Sequence, residues 1–145
     1  MVTGTVVKDG TYIYVITNPA KHYCKVIGVV ASKKKTIKSI KVPNAIRKSG
    51  VKYRVTAIEK NAFKGLKKVT KATINTNVKT IGIKAFYNCK KLKKVTIRTK
   101  KLTKIGKFAF KNIHKKATIK VPKKKFKKYK KMLKKSKVSK KTKIR

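Results

Sequence analysis

The stretch TIGIKAFYNCKKLKKVTI at residues 80–97 combines an Ala-Phe pair, a cysteine and a strand-like tail. Its lysines fall between the apolar residues and seldom replace them. The same apolar skeleton recurs along the chain, because Ala-Phe pairs also occupy residues 62–63 and 109–110, at spacings of 23 and 24 residues. An internal period of this length predicts an array of stacked structural repeats.

Further apolar positions keep the same period as the Ala-Phe pairs. An isoleucine precedes each alanine by four residues, and Leu66, Cys89 and Ile113 follow each phenylalanine by three. A strand-like pattern comes next in each copy: Val69-x-x-Ala72-x-Ile74 matches Leu92-x-x-Val95-x-Ile97, Ala117-x-Ile119 is a shortened copy, and Ile37-x-x-Ile40-x-Val42 is an earlier copy. A unit of about 23 residues is too small to bury its own apolar face, whereas stacked units can do so. We therefore predict an α/β, β-rich solenoid of short parallel strands with one short helical turn per repeat.

The nonapeptide Ile81–Cys89 carries the repeat in its fullest form, and residues 105–110 repeat its first part. This pattern closely resembles the repeat of the BspA-like leucine-rich-repeat family of bacterial cell-surface proteins. The resemblance covers roughly residues 25–145, although Glu59 stands where the family pattern has glycine. The lysine-rich tail VPKKKFKKYKKMLKK also resembles the end of such domains in gut Firmicutes. The resemblance implies a non-catalytic, extracellular or cell-surface adhesion module, with any leader peptide lying outside this chain.

The two ends of the chain have the patterns of caps. Asp9-Gly10 and Ser49-Gly50 each separate strand-like segments, which is typical of β-hairpins, and residues 23–30 could add a third strand to the first hairpin. Pro122 suits a helix start, and Phe126, Tyr129, Met132 and Leu133 follow it at helical spacing. We expect one complete solenoid domain over residues 1–145, with an N-terminal β-hairpin cap at 1–36, leucine-rich repeats at 37–122, and a C-terminal capping helix and strand at 123–145. The alternative for the helix is a basic segment that binds membranes or nucleic acid.

The charge is strongly one-sided, with 46 Lys and Arg residues against two acids and a formal net charge of +44. Such a surface repels itself, so it requires salt or anionic partners. The apolar segments are too short to span a membrane, which takes about 20 residues. We expect a monomer whose partners are host or bacterial surface proteins, anionic glycans or wall polymers, with nucleic acid bound only non-specifically.

Residues for catalysis or metal binding are scarce. The acids are Asp9, in a predicted turn, and Glu59, before a predicted helical turn whose positive end it would suit. His22 and His114 are isolated, and Cys24 and Cys89 lack the spacing of a zinc site. The two cysteines also lie more than one coil apart, too far for a disulfide. The sequence predicts no enzyme, no cofactor and no metal, and it assigns Cys89 to the core because it shares the position of Leu66.

The repeat alignment predicts columns of polar side chains on the outer face of the main sheet. Lys71, Lys94 and Lys116 form the first column, Thr73, Thr96 and Thr118 the second, and Asn75, Arg98 and Lys120 the third, while Ser39 and Lys41 extend the first two upstream. Lysine and threonine columns offer charge and hydroxyl donors to an extended anion. The candidate polyanion-binding face is Lys41, Lys71, Thr73, Lys94, Thr96, Arg98, Lys116, Thr118 and Lys120. The alternative is a diffuse polycationic coat without a defined site.

Three functions fit these observations. The first is a cell-surface interaction module, and the second is a wall-associated structural module held by teichoic acids. The third is a non-specific nucleic-acid binder, which the charge favours. Against the third, arginine reads bases better than lysine but occurs only four times, and most aromatic residues fall on core positions of the repeat or cap.

Overall fold

The computed structural model describes residues 2–145, which form two sheets and one α-helix near the C-terminus. The strands are short because turns interrupt the chain every few residues. They are β1 Val6–Lys8, β2 Tyr12–Asn18, β3 Tyr23–Val29, β4 Ser39–Lys41, β5 Ala45–Lys48, β6 Val51–Ile58, β7 Lys71–Ile74, β8 Thr80–Ile81, β9 Lys94–Ile97, β10 Lys104–Ile105, β11 Thr118–Lys120 and β12 Lys143–Ile144, and the helix is α1 Phe126–Lys135.

Sheet A contains seven strands in the order β1-β2-β3-β6-β8-β10, with β5 paired to β6. Both predicted hairpins are confirmed, because β1 pairs antiparallel with β2 and β5 pairs antiparallel with β6. The Asp9 carboxylate fixes the first hairpin by accepting hydrogen bonds from the backbone N–H of Tyr12 at 2.8 Å and from the Tyr14 hydroxyl at 2.7 Å. Strand β3 pairs antiparallel with β2 and parallel with β6, so it joins the hairpin to the parallel part of the sheet.

Sheet B contains the five parallel strands β4, β7, β9, β11 and β12, in that spatial order. Ile40, Ala72, Val95 and Ile119 lie beside one another across the first four strands and are buried. The residues on either side of them in each strand point to the outer face, as strand alternation requires. Sheet B therefore builds the outer columns that the candidate face needs.

The phenylalanines of the three Ala-Phe pairs form the centre of the core. Phe63, Phe86 and Phe110 are fully buried, which confirms the prediction from their shared spacing. The ring centroids of Phe63 and Phe86 lie 5.2 Å apart, and the Tyr12 ring of the N-terminal hairpin meets Phe63 edge-on at 6.2 Å. The hairpin therefore closes one end of the aromatic column.

The Ala-Phe segments are runs of hydrogen-bonded turns, and the predicted short helical turn does not form there. Backbone N–H groups in these segments donate to the next copy: Phe63 N–H donates to Ala85 O at 2.8 Å and Phe86 N–H donates to Ala109 O at 2.7 Å. A donor used between copies is not free to bond within a helix. Two positions per copy also have positive φ, which a helix excludes: Asn61, Lys84 and Phe108 at one position, and Gly65, Asn88 and Asn112 at the other.

Two glycines allow the copies to approach one another closely. A Cβ atom on Gly82 would lie 2.3 Å from Lys60 N, and one on Gly106 would lie 2.4 Å from Ile83 N. Glu59 occupies the equivalent position in the preceding copy. Its side chain is half-exposed and forms an ion pair with Lys25 of β3, so this pair replaces the predicted interaction with a helix end.

Helix α1 packs through the buried side chains of Tyr129 and Leu133. The Tyr129 hydroxyl donates to Thr99 O at 2.8 Å and accepts from Leu102 N–H at 3.1 Å, which ties the helix to the loop before β10. Strand β12 then adds to the edge of sheet B. Within residues 2–145, no helix is both long and apolar enough to cross a membrane.

Candidate polyanion-binding face

The outer face of sheet B carries two rows of polar side chains. We call Ser39, Lys71, Lys94, Thr118 and Lys143 row 1, because strand pairing places them side by side. Row 2 is Lys41, Thr73, Thr96, Lys120 and Arg145. Arg145 follows β12, and its N–H donates to Ile119 O at 3.0 Å while its carbonyl accepts from Val121 N–H at 2.8 Å, which places it opposite Lys120.

The alignment predicted from sequence is wrong in the third copy. Thr118 pairs with Lys94 instead of Thr96, and Lys120 pairs with Thr96 instead of following Arg98. The true register follows from the number of residues between the buried phenylalanine of each copy and the central buried residue of the strand that follows it. Nine residues separate Phe63 from Ala72, Phe86 from Val95 and Phe110 from Ile119, whereas the prediction matched Ala117 to Ala72 by residue type.

Lys116 does not belong to the rows. It precedes β11, and its backbone N–H donates to His114 Nδ1 at 2.9 Å. Its side chain lines a separate depression of 660 Å³ together with Lys90 and Ile113. Arg98 lies just beyond the end of β9, exposed, with its N–H bonded to Ile74 O at 2.9 Å. Lys143 and Arg145 are the row members that the sequence prediction missed, because the two-residue strand β12 has no periodic pattern.

The cations of both rows have no carboxylate side chain beside them in the described part of the chain. Asp9 is occupied in the first hairpin. Glu59 pairs with Lys25 near sheet A, and the hydrogen bond from the Lys25 ammonium lowers the pKa of that carboxyl. Rows 1 and 2 therefore present lysine, arginine and hydroxyl donors without an acidic side chain to neutralise them.

A second kind of basic surface lies on the turns around the Ala-Phe segments. The half-buried Tyr87 ring has the ammonium groups of Lys64 and Lys84 at 5.7 and 5.3 Å from its centroid. The Phe108 ring has those of Lys107 and Lys111 at 4.9 and 4.5 Å. These cation–π contacts partly cover the ring faces and hold the lysines close to the surface. Sequence reasoning did not identify these contacts; the contact of Lys64 with Tyr87 joins two copies and depends on the stacking, while the other three lie within one copy.

The outer face of sheet A carries apolar side chains as well as basic ones. Its N-terminal strands carry Ile13, Val15 and Ile27, all half-exposed, and Val6 on β1 is 54% exposed. Ile83, beside Gly82, is 48% exposed. Lysine therefore covers most of the surface but leaves apolar side chains on this sheet.

The cysteines and histidines are dispersed. Burial raises the pKa of the Cys24 thiol to about 12 and that of the Cys89 thiol to about 11, and both thiols are free. His22 packs edge-on against Tyr53, with ring centroids 5.7 Å apart. Residues 2–145 contain no cluster of three or more His, Cys, Asp or Glu residues that could hold a metal ion.

A comparison with known protein families finds a match over most of the chain. The family described as BspA type Leucine rich repeat region matches residues 25–144, in six copies. The match begins at residue 25, inside the segment 1–36 that the sequence analysis assigned to the N-terminal cap. No curated protein matches the chain.

Three solved structures have a similar fold. A leucine-rich repeat protein from Bacteroides capillosus is 24% identical, with a TM-score of 0.68, and the match covers 81% of this chain and 83% of that one. A leucine rich cell surface protein from Faecalibacterium prausnitzii is 23% identical, with a TM-score of 0.64, and the match covers 84% of this chain but 38% of that one. A leucine-rich repeat protein from Bacteroides ovatus is 23% identical, with a TM-score of 0.57, and the match covers 81% and 37% of the two chains.

Proposed function

This chain belongs to the BspA-type leucine-rich repeat family, and from that premise we propose that it is a non-catalytic interaction and adhesion module of the bacterial cell surface. Repeat proteins of this kind use the extended surface of the stack for binding. The description of the Faecalibacterium prausnitzii relative as a cell surface protein supports the same location.

The proposal also includes the organisation of the chain. Residues 1–145 act as one monomeric solenoid domain, with a β cap at 1–36, repeats at 37–122, and a helix and strand at 123–145. The parallel registers of sheet B and the continuous Phe63–Phe86–Phe110 column support a single stack. The family match from residue 25 suggests that strand β3 is part of the first repeat as well as of the cap.

The ligand class that we propose is an anionic polymer, either a glycan or a wall polymer. The observation that carries this proposal is the pair of rows on sheet B, where six lysine and arginine side chains lie among four hydroxyl side chains and none of the ten side chains is acidic. Adjacent strands lie about 4.8 Å apart, so each row is a ladder of donors across the stack. Counterion release makes binding of a polyanion to such a ladder favourable and strongly dependent on salt.

A comparison of two triple variants tests whether the rows bind polymer better than the general lysine coat. Lys71, Lys94 and Lys143 are changed to glutamine in row 1, while exposed Lys127, Lys131 and Lys134 on α1 are changed as the matched control. Binding to heparin and to teichoic acid is measured at several salt concentrations. We expect the row variant to lose more than about 1 kcal/mol relative to the helix variant, which is roughly fivefold in affinity. Equal losses would refute a defined face and leave only a diffuse coat.

Two alternatives from the sequence remain as second candidates. A wall-associated structural role would give tight binding to purified cell wall and none to host matrix proteins.

Non-specific nucleic-acid binding is favoured by the lysines beside Tyr87 and Phe108, since bases can stack on aromatic rings. That role predicts that Tyr87→Ala and Phe108→Leu weaken binding of single-stranded DNA more than binding of heparin.

A further inference from the structure

We propose that rows 1 and 2 contain one discrete site for a tetrahedral oxyanion, a phosphate or sulfate ester group, between β9, β11 and the end of β12. The inference rests on the proposed function, because the ester group would belong to the bound polymer. The residues of this site, which we call the oxyanion cradle, are Lys94, Thr96, Thr118, Lys120 and Arg145.

The geometry of the cradle follows from the corrected register. Lys94 and Thr118 are neighbours in row 1, and Thr96 and Lys120 are neighbours in row 2. Each threonine therefore has a cationic neighbour on the next strand, an arrangement that the predicted register would not produce. Neighbouring strands are about 4.8 Å apart and residues two positions along a strand about 6.7 Å apart, so the five side chains surround an area the size of one tetrahedral anion.

A depression of 320 Å³ lies at this place. The residues that line it are the five cradle residues and Val95. Val95, whose side chain is buried in the core, can contribute only its backbone to the floor, both threonines are half-buried, and the long cationic side chains are exposed. An anion in the depression would meet donors from several directions and be partly shielded from solvent, which strengthens charge-assisted hydrogen bonds.

The threonine hydroxyls distinguish this site from an ordinary lysine surface. Some hydroxyl groups elsewhere are used between copies: Thr70 donates to Lys38 O at 3.4 Å and Thr103 donates to Lys79 O at 3.2 Å. The hydroxyls of Thr96 and Thr118 have no hydrogen-bond partner within residues 2–145, so they are free to donate to a ligand. A guanidinium, two ammonium groups and two hydroxyls match the three or four acceptor oxygens of a phosphate or sulfate better than the two of a carboxylate.

The test uses the folded chain with two glycines added after Arg145, which keeps the chain-terminal carboxylate away from the cradle. Inorganic phosphate and inorganic sulfate are titrated in 0.1 M sodium chloride, and binding is followed by amide and methyl chemical shifts. We expect saturable shifts concentrated at residues 94–96, 118–120 and 143–145. Shifts spread over lysines of α1 and the turns, without saturation, would overturn the proposal.

Hydroxyl variants separate the cradle from the charge of the face. Thr96→Val with Thr118→Val removes two donors, keeps the β-branched shape and changes no charge, and we expect phosphate affinity to fall about three- to tenfold. Thr96→Ser with Thr118→Ser keeps the hydroxyls and should retain phosphate binding. That result would show that the valine variant binds weakly because it lacks the hydroxyls, and not because it is misfolded. Thr17→Val with Thr80→Val on sheet A is the matched control. Unchanged affinity in the Thr96→Val, Thr118→Val protein would refute the cradle while leaving polymer binding by the lysine rows intact.

A charge variant and two ester probes complete the test. Lys120→Gln with Arg145→Gln should lower phosphate affinity at least about tenfold, against less than about twofold for Lys127→Gln with Lys131→Gln on α1.

Glycerol phosphate and a sulfated disaccharide then distinguish the two sources of the ester, and the probe that binds more tightly identifies the polymer class. If heparin and teichoic acid do not bind the unaltered chain at all, the proposed function itself fails, an outcome distinct from loss of the cradle alone.

Discussion

The rings of Phe86 and Phe110 lie almost parallel, with 9° between their planes and 5.1 Å between their centroids. They belong to consecutive copies, and both are fully buried. The spacing of the two centroids is close to the spacing of neighbouring strands, about 4.8 Å. The stacking distance of the repeat is therefore set simultaneously by strand pairing and by ring contact.

Phe86 lies in the middle of the aromatic column, so Phe86→Ala should strongly destabilise the chain. We expect the free energy of unfolding to fall by about 3–5 kcal/mol, because both neighbouring rings lose contact. Chemical denaturation measures the change, and Lys90→Ala at a nearby exposed position is the control. A loss below about 1 kcal/mol for Phe86→Ala would contradict a continuous column.

Gly106→Ala should be destabilising by about 2–3 kcal/mol, because the added Cβ would lie 2.4 Å from Ile83 N and the copies must separate. Gly65→Asn is the matched control. Gly65 has φ +72 with open space around it, and Asn88 and Asn112 adopt the same conformation at the equivalent position. Denaturant melts of both variants should therefore give a large loss for Gly106→Ala and a change within about 1 kcal/mol for Gly65→Asn. If Gly106→Ala and Gly65→Asn lowered the free energy of unfolding by similar amounts, the loss of glycine's backbone freedom, and not the close contact of the added Cβ, would explain the destabilisation.

The Tyr129 hydroxyl contributes to stability through its two buried hydrogen bonds. Tyr129→Phe leaves Leu102 N–H and Thr99 O without that partner, and should cost about 1–3 kcal/mol. Tyr87→Phe removes a hydroxyl that bonds to no described residue and should be nearly neutral. Thermal unfolding compares the two proteins. Equal stability would mean that α1 is held by apolar contact alone.

The two thiols should react slowly in the folded chain. Burial raises the pKa of Cys24 to about 12 and of Cys89 to about 11, so the reactive thiolate is nearly absent at pH 8. Labelling with a disulfide reagent should be at least about 100-fold slower than in guanidinium chloride. Raising the pH from 9 to 11 should accelerate labelling of the folded protein more than that of the denatured chain, whose thiols are already ionised. Rapid labelling of one thiol under native conditions would show that its pocket opens.

Salt should raise the melting temperature. The folded chain concentrates a formal charge of +44 on a small surface, and the unfolded chain spreads it out. Screening therefore favours the folded state, with most of the change below about 0.3 M salt, where the Debye length falls fastest. Sulfate should have a larger effect than chloride, since it also strengthens apolar burial. A melting temperature independent of salt over this range would contradict the repulsion argument.

The cradle and the rows were only partly predictable. Sequence periodicity placed Lys71, Lys94 and Thr96 correctly, because β7 and β9 follow complete copies of the repeat. The third copy misled the alignment, since Lys116 stands six residues after its phenylalanine, where Val69 and Leu92 are apolar. The neighbouring Ala117 is buried instead. Residue type therefore suggested that Ala117 matches Val95, whereas the constant spacing of nine residues from the phenylalanine makes Ile119 the partner of Val95.

The sequence by itself determined the repeat, the burial of its three phenylalanines and both hairpins. These depend on apolar spacing and turn residues, which are local properties of the chain. The tertiary structure alone decided which residues meet across copies. It placed Thr118 beside Lys94, Arg145 opposite Lys120, Lys25 on Glu59 and Tyr129 on the Thr99 loop. Such contacts join residues far apart in sequence. Their positions follow from the sum of every turn and loop length between them, and a single extra residue shifts all that follow.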